Sequence, residues 1–455
     1  MFLTASNRRE FLTTLGLLGA GSQWAFTGAA RAETGSAPEE KLALEGGEPV
    51  RKQFLASRPY GPQFYDEVEQ RELIEVLKSQ SPFRWWHDGS KVLQFEKAYA
   101  AHIGVKYALA VTSGTTALMT AMAALEIGPG DEVILPAWTW YADYDVIVLA
   151  GALPVFAEID ESFNIDPSDI ESKITPRTKA IIAVHLQGTP ADLDPILEIA
   201  RKHNIRVLED CAQCCGGKYK GKYVGSIGDI GINSFQLSKT ITSGEGGAVT
   251  TNDSELFERS MRFHDVGAIR APYTEWLKGG ALNAFAASNF RMNEFTGAVL
   301  KAQLQKLETI CERLRRSARI VREGISDLPG IKLRKTPDPE GDIGVGVFID
   351  FGNRQRRDRF LRAMRAENIA ASGPSGSVIL PVDGRIEKKL TVHSAWPSFQ
   401  TPEGKAIQYG AACCPKTIDI IGRFGGVIMD PNFSEEDLKD IIRAIRKVYR
   451  AVGTA

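Results

Sequence analysis

The chemistry of this chain is organised around one lysine. The stretch Asn233 to Val249, NSFQLSKTITSGEGGAV, sets Lys239 between an apolar run ending in Ser234-Phe235 and the Gly-rich segment Ser243-Gly244-Glu245-Gly246-Gly247. A lysine in an apolar, partly dehydrated site loses part of its preference for the charged form, so its amine can attack a carbonyl and form a Schiff base. The glycines beside it let backbone approach a bulky planar group. Taken alone, the segment reads equally well as a lysine capping a loop between two buried strands.

Other segments carry compatible chemistry. Thr112-Ser113-Gly114-Thr115-Thr116-Ala117 follows a strand and opens a helix. There, free N–H groups and the helix dipole can hold a phosphate, although the same residues also make an ordinary N-cap. Pro136-Ala137-Trp138-Thr139-Trp140 follows the next strand at the carboxyl edge, where ligands bind in open α/β sheets; its aromatics also suit core packing. Glu209-Asp210-Cys211-Ala212-Gln213 ends a buried strand, where an acid is costly unless paired. Cys211 and Cys214 form a CxxC, but no second pair has a suitable spacing and Cys413-Cys414 is not a zinc pattern, so no metal is expected.

With His185-Leu186-Gln187-Gly188 and Ser288-Asn289-Phe290-Arg291-Met292-Asn293-Glu294, these segments resemble, in the same order, the DegT/DnrJ/EryC1/StrS aminotransferases. These are pyridoxal-phosphate (PLP) enzymes of fold type I that mostly aminate keto-sugars or keto-cyclitols. The resemblance implies that Lys239 is the catalytic lysine holding PLP. It assigns the cofactor phosphate to the backbone N–H groups of Thr115 and Thr116 and to the Ser234 hydroxyl. Trp140 would stack on the pyridine ring, and Gln213 would bond the ring hydroxyl. Asp210 would keep the ring nitrogen protonated, making the ring an electron sink. His185 is implied at the substrate side. Asn289, with Arg291 as the alternative, would reach into the neighbouring subunit's site, which implies a homodimer with shared active sites.

The implied reaction is ping-pong transfer of an amino group from glutamate or glutamine to a keto-sugar or keto-cyclitol. Two other readings accompany it: a PLP-dependent dehydratase of the same family that keeps the lysine, and a non-catalytic PLP or sugar sensor on this scaffold. The intact set Asp210, Gln213, Ser234 and Lys239 speaks against the sensor. Phe263-His264-Asp265-Val266-Gly267 and the loop up to Gly280 contain polar and aromatic residues suited to substrate binding. Trp85 and Trp86 either face the site or are buried.

The elements that must position these residues alternate β-rich and helical runs, which indicates an α/β fold with a mostly parallel sheet covered by helices. Strands are expected at Tyr107 to Val111, Glu132 to Leu135, Leu153 to Ile159, Ala180 to Val184, Ile205 to Glu209, Ile230 to Phe235 and Ala248 to Thr251. Helical periodicity marks Asp66 to Ser79 and one long run from Asn293 to about Ile325. The expected organisation is a signal over 1–32, an arm and helix over 33–90, a large PLP-binding domain over 91–310 and a small α/β domain over 311–455.

The 455-residue chain carries a net charge of −1, which speaks against nucleic acid or an anionic membrane as partner. Asn7-Arg8-Arg9-Glu10-Phe11-Leu12, the apolar run Leu15 to Ala20 and Ala30-Arg31-Ala32 together read as a twin-arginine export signal cleaved after Ala32. That route carries folded proteins, which suits an imine-bound cofactor loaded before export. The expected location is the periplasm or cell envelope, with the cytoplasm as the alternative. The apolar run is too short and Gly-broken to span a membrane. Six cysteines do not form the regular framework of a small secreted domain.

Overall fold

The computed structural model describes residues 40–452, apart from 86–88, 275, 276 and 278–281. The export signal, Trp86 and residues 275, 276 and 278–280 of the loop ending at Gly280 fall outside the described residues. Residues 40–455 form one compact unit.

Its centre is a seven-stranded sheet. The strands are β1 (Tyr107–Val111), β2 (Glu132–Pro136), β3 (Leu153–Ala157), β4 (Thr178–Val184), β5 (Arg206–Asp210), β6 (Ile230–Ser234) and β7 (Gly247–Thr251). Every expected strand is present within two residues of its expected ends. Their spatial order is β1-β7-β6-β5-β4-β2-β3. β2, β3, β4, β5 and β6 are parallel, and β7 runs antiparallel between β6 and β1. Being flanked by β7 gives β1 the same direction as β6. The carboxyl ends of β1, β2, β4, β5 and β6 therefore open on one edge, and each expected cofactor segment except that of Asn289 starts there.

The helix Gly114–Ala124 leaves β1, and Tyr141–Leu149 follows β2 after the short strand Trp138–Thr139. A smaller antiparallel pair, β8 (Gly346–Asp350) and β9 (Phe424–Ile428), packs with the helices Arg354–Ala366 and Glu435–Val452 in the C-terminal part. The core divides between the two faces of the main sheet. Leu208, Ile182 and Val184 enter one apolar cluster, while Val207, Cys211 and Ala183 enter another.

The helical run from Asn293 is interrupted. It forms two helices, Glu294–Leu304 and Leu307–Ile325, parted at Gln305-Lys306. The Lys306 ammonium is drawn onto the start of the α-helix Glu67–Ser79, where it meets Glu69 at 2.7 Å and the N-cap Asp66 at 3.0 Å. Apolar spacing continues smoothly across such a break, so periodicity does not mark it. No helix among the described residues is long and apolar enough to cross a membrane.

Candidate functional site

Lys239 rides on a tight excursion between β6 and β7. Phe235 N–H donates to the Gly246 carbonyl at 2.8 Å, Leu237 N–H to Gly244 at 3.1 Å, and the Thr242 hydroxyl to Phe235 at 2.8 Å. Gly244 takes a positive φ of 85°, which a glycine adopts without strain. These bonds clamp the excursion and fix its lysine. The Lys239 amine has no hydrogen-bond or ion-pair partner within 4 Å among the described residues and faces the carboxylates of Asp210 and Asp143 from further off. Burial lowers its pKa from the ordinary lysine value, and the two carboxylates only partly restore it. The amine is thereby shifted toward the neutral, nucleophilic form.

A phosphate cradle lies beside it. Ser113 and Thr116 form a capping box in which the Ser113 hydroxyl accepts from Thr116 N–H at 3.1 Å and the Thr116 hydroxyl accepts from Ser113 N–H at 2.9 Å. The expectation for Thr116 is therefore corrected: its N–H is already bonded, and Gly114 and Thr115 N–H are donors with no partner among the described residues. Glycines let the parts approach. A Cβ on Gly114 would stand 2.7 Å from the Ser234 Cβ, and one on Gly247 would stand 2.2 Å from the Ser113 carbonyl oxygen. The Ser234 hydroxyl thus sits at the mouth of a helix N-terminus carrying free N–H groups, the arrangement that binds an anion.

Asp210 ends β5 and accepts from Ala212 N–H at 2.8 Å. Facing it is a residue that sequence reasoning missed. Asp143, in the first turn of Tyr141–Leu149, is completely inaccessible to solvent, and its Oδ2 accepts from the Thr139 hydroxyl at 2.5 Å. Burial beside Asp210 pushes the Asp143 carboxyl well above the usual carboxylate range, and burial also raises Asp210. The helix N-terminus opposes this by about 0.5 kcal/mol. Burial, and after it the neighbouring Asp210 charge, outweighs so small a contribution. The helix carries two acids, Asp143 and Asp145, ahead of the apolar run Val146-Ile147-Val148-Leu149, and no pattern in the sequence separates the buried one from the other.

The other expected residues divide. Trp140 stands 52 % exposed at the helix start, free to cover a planar ring. Gln213 Nε2 donates to the Gly376 carbonyl at 3.1 Å and Ser377 Oγ at 3.0 Å, while its Oε1 accepts from Gln187 N–H at 3.3 Å. The segment Ser375–Ser377, remote in sequence and unremarked there, thus holds Gln213.

His185 does not reach substrate space. It is fully buried; its Nδ1 accepts from Ala191 N–H at 2.9 Å, so its Nε2 carries the proton and donates to Glu209 at 3.1 Å. With both ring nitrogens used, it acts as a support under β5. His185, Glu209 and Cys211 bring ligand-type atoms within 4.8 Å of one another, but protein groups already engage both His185 nitrogens and both Glu209 oxygens. The cysteines are unpaired thiols, and burial pushes those of Cys211, Cys214 and Cys215 upward, away from reactivity.

Asn289 is exposed and pairs its backbone with Asp265, whereas Arg291 is tied by an ion pair to the same buried Asp265. Of the two, Asn289 has the freer side chain. His264 and Asp265 are themselves buried and internally bonded, and Trp85 packs edge-on against His264 and Tyr273.

A cavity of about 370 Å³ opens over Lys239 and Gln213, lined also by Ser57, Arg58, Tyr60 and Gln187. The arm residues carry no periodicity or motif that would have marked them. A lysine amine, a buried acid, a partly exposed ring and a phosphate-sized N-terminal cradle on one sheet edge fit pyridoxal phosphate.

The comparisons agree. The model of the DegT/DnrJ/EryC1/StrS aminotransferase family matches residues 64–373. A Micromonospora echinospora protein assigned as an L-glutamine:3-amino-2,3-dideoxy-scyllo-inosose aminotransferase is 33 % identical over 427 residues, covering 91 % of this chain and 98 % of that one. The UDP-N-acetyl-3-dehydro-alpha-D-glucosamine 3-aminotransferase of Acidithiobacillus ferrooxidans is 35 % identical over 363 residues, covering 79 % and 89 %. Among solved structures, 3-amino-5-hydroxybenzoic acid synthase superposes with a TM-score of 0.73 at 27 % identity, covering 89 % of this chain and all of that one. The chain belongs to the DegT/DnrJ/EryC1/StrS family and is a PLP-dependent aminotransferase of fold type I.

Proposed function

We propose that this aminotransferase takes its amino group from glutamate or glutamine and gives it to an uncharged keto-sugar, keto-cyclitol or envelope glycan, working as an exported homodimer. The observation that carries this reading is the composition of the cavity over the unpartnered Lys239 amine. Apart from Lys239, Arg58 is the only charged side chain among its lining residues. A nucleotide-linked sugar brings a diphosphate and would favour a cationic wall. The lining from this chain suits hydroxyl groups, with Gln187, Ser238 and Ser375 available as partners.

When bound, pyridoxal phosphate supplies an aldehyde that accepts the amino group and a ring that stores the electron pair left by a departing proton. The chain supplies the rest. Gly114 N–H, Thr115 N–H and the Ser234 hydroxyl hold the phosphate, and Trp140 covers one face of the ring. Asp210 holds the proton of the ring nitrogen. Once released by the donor, Lys239 would be the base that takes a proton from the donor's α-carbon and delivers it to the former aldehyde carbon across the shared nitrogen, a role its lowered pKa favours near neutral pH. The second half-reaction reverses these steps on the ketone.

The test is a two-stage absorbance experiment. Glutamate or glutamine should bleach the visible band of the purified protein, and an uncharged ketone should restore it with an aminated product. Restoration only by nucleotide-linked keto-sugars would overturn the acceptor class, and a product without nitrogen would favour dehydration. For export, the chain should be found outside the cytoplasm, shortened at Ala32. Full-length protein confined to the cytoplasm would restore nucleotide-linked sugars as the leading acceptors.

A further inference from the structure

Two carboxyl groups lie against one another beneath the lysine, and one of them has no part in the chemistry described so far. Asp143 and Asp210 are within hydrogen-bond reach of each other, yet a carboxylate donates nothing. The Thr139 hydroxyl serves Asp143 Oδ2 at 2.5 Å, and Ala212 N–H serves Asp210 Oδ1 at 2.8 Å. Asp143 Oδ1 is buried without any hydrogen-bond donor among the described residues. Lys239 stands beyond ion-pair distance from both acids, and His185, which also faces Asp210, has both ring nitrogens occupied elsewhere. A single proton between the two carboxyl groups satisfies the unpartnered oxygen and removes the repulsion together.

We propose that Asp143 is protonated and is a positioning residue of the cofactor site, donating its hydrogen bond to Asp210 so that Asp210 stays the ionised partner of the ring nitrogen. The inference rests on the reading of Asp210 as that partner. Asp143 is placed for the task by the chain turn that also presents Trp140. Thr139 anchors one oxygen, the first turn of the helix follows at once, and the other oxygen is left buried without a donor among the described residues. A donor here holds the plane of the Asp210 carboxylate without adding charge. An ionised residue at the same place would pull the ring-nitrogen proton toward a doubly negative pair.

The test combines infrared spectra of the cofactor-free full chain with PLP titrations of wild type, Asp143→Asn and Asp143→Ala. Wild type should show the carbonyl stretch of a buried protonated carboxyl at neutral pH, and Asp143→Asn should lack it. The asparagine amide still donates, so its PLP affinity should stay within about threefold of wild type, whereas alanine should lose about tenfold or more. Absence of the band in wild type overturns the proposal, as does asparagine binding as weakly as alanine, or alanine binding as tightly as wild type. Should Asp143→Ala fail to fold by circular dichroism, the wild-type band and the asparagine titration decide. Asp210→Ala with undiminished PLP affinity would overturn the reading of Asp210 on which the inference rests. Loss of the wild-type band alone would overturn the inference and leave that reading standing.

Discussion

Replacing Gly114 with alanine puts the phosphate cradle to a quantitative trial. The new Cβ would begin 2.7 Å from the Ser234 Cβ and 3.0 Å from its hydroxyl oxygen. Apolar carbons settle at about 3.5–4.0 Å, so the helix start and Ser234 must part by about 1 Å. That displacement removes two charge-assisted hydrogen bonds from good geometry, each worth about 1.5 kcal/mol at the low end, for a loss of about 3 kcal/mol. PLP should bind about 100-fold more weakly. Stability should change little, because repacking costs of about 1 kcal/mol are offset by the reduced freedom of the unfolded chain. Titrating the cofactor-free protein with PLP and, separately, with pyridoxal isolates the phosphate. Pyridoxal has no phosphate to lose, so its affinity should hold. PLP binding within about threefold of wild type, or an equal loss for both ligands, would refute the cradle as drawn.

Four further outcomes follow from the site. The rate at which the cofactor-free chain captures PLP should rise with pH through a midpoint below 10.5, the ordinary lysine value, because burial disfavours the charged Lys239 amine. Asp210→Asn should move that midpoint lower still, since it removes a carboxylate that holds the proton on, and an upward move would contradict this placement. Glu209→Gln should cost about 3 kcal/mol or more, measured as a fall in thermal midpoint at neutral pH, because it replaces a buried anion that accepts from His185 and backbone N–H groups. Burial alone would raise the Glu209 pKa, but those bonds hold it below 4.5; its stabilisation is present above the unfolded value and fades as pH falls through the folded one, so the penalty should shrink in acid. Finally, mixing Lys239→Ala with Asn289→Ala subunits should regain activity in the hybrid if Asn289 serves the neighbouring site, whereas a mixture as inactive as its parents would assign Asn289 to its own subunit.

Much of this was legible in the sequence for identifiable reasons. The central strands are buried on both faces and read as short β-branched runs such as Ala180 to Val184, so their ends were found within two residues. Lys239, Asp210 and Ser234 stand at strand ends or in the glycine-rich excursion, where local pattern carries the information. The proposed phosphate donors differ by one residue from those implied by the sequence because the choice between capping and ligand binding at Thr116 depends on the Ser113 rotamer, which no pattern records. Asp143, the arm at Ser57 to Tyr60 and the Ser375–Ser377 segment reach the site only through the fold. The helix break at Lys306 is equally a tertiary effect, set by acids more than two hundred residues away in the chain.

The two neighbouring acids at the end of β5 show why residue type alone does not assign a role. Strand alternation sends Glu209 and Asp210 to opposite faces, with Val207 and Cys211 on the Glu209 side and Leu208 on the other. On its face Glu209 meets the loop after Val224, whose Gly225, Ile227 and Gly228 N–H groups all point at the carboxylate at 2.6–2.9 Å. That convergence needs glycine: Gly225 has a φ of +85°, and a Cβ on Gly228 would stand 2.8 Å from the Val207 carbonyl oxygen. Backbone dipoles and the neutral His185 thus stabilise one anion without a cation. The positive charge of Lys239 is left to the other face, where Asp210 and Asp143 are its nearest acids. A loop built to satisfy Glu209 therefore has a consequence across the sheet: the protonation of the Asp143–Asp210 pair answers to the lysine, and not to a second buried ion beneath it.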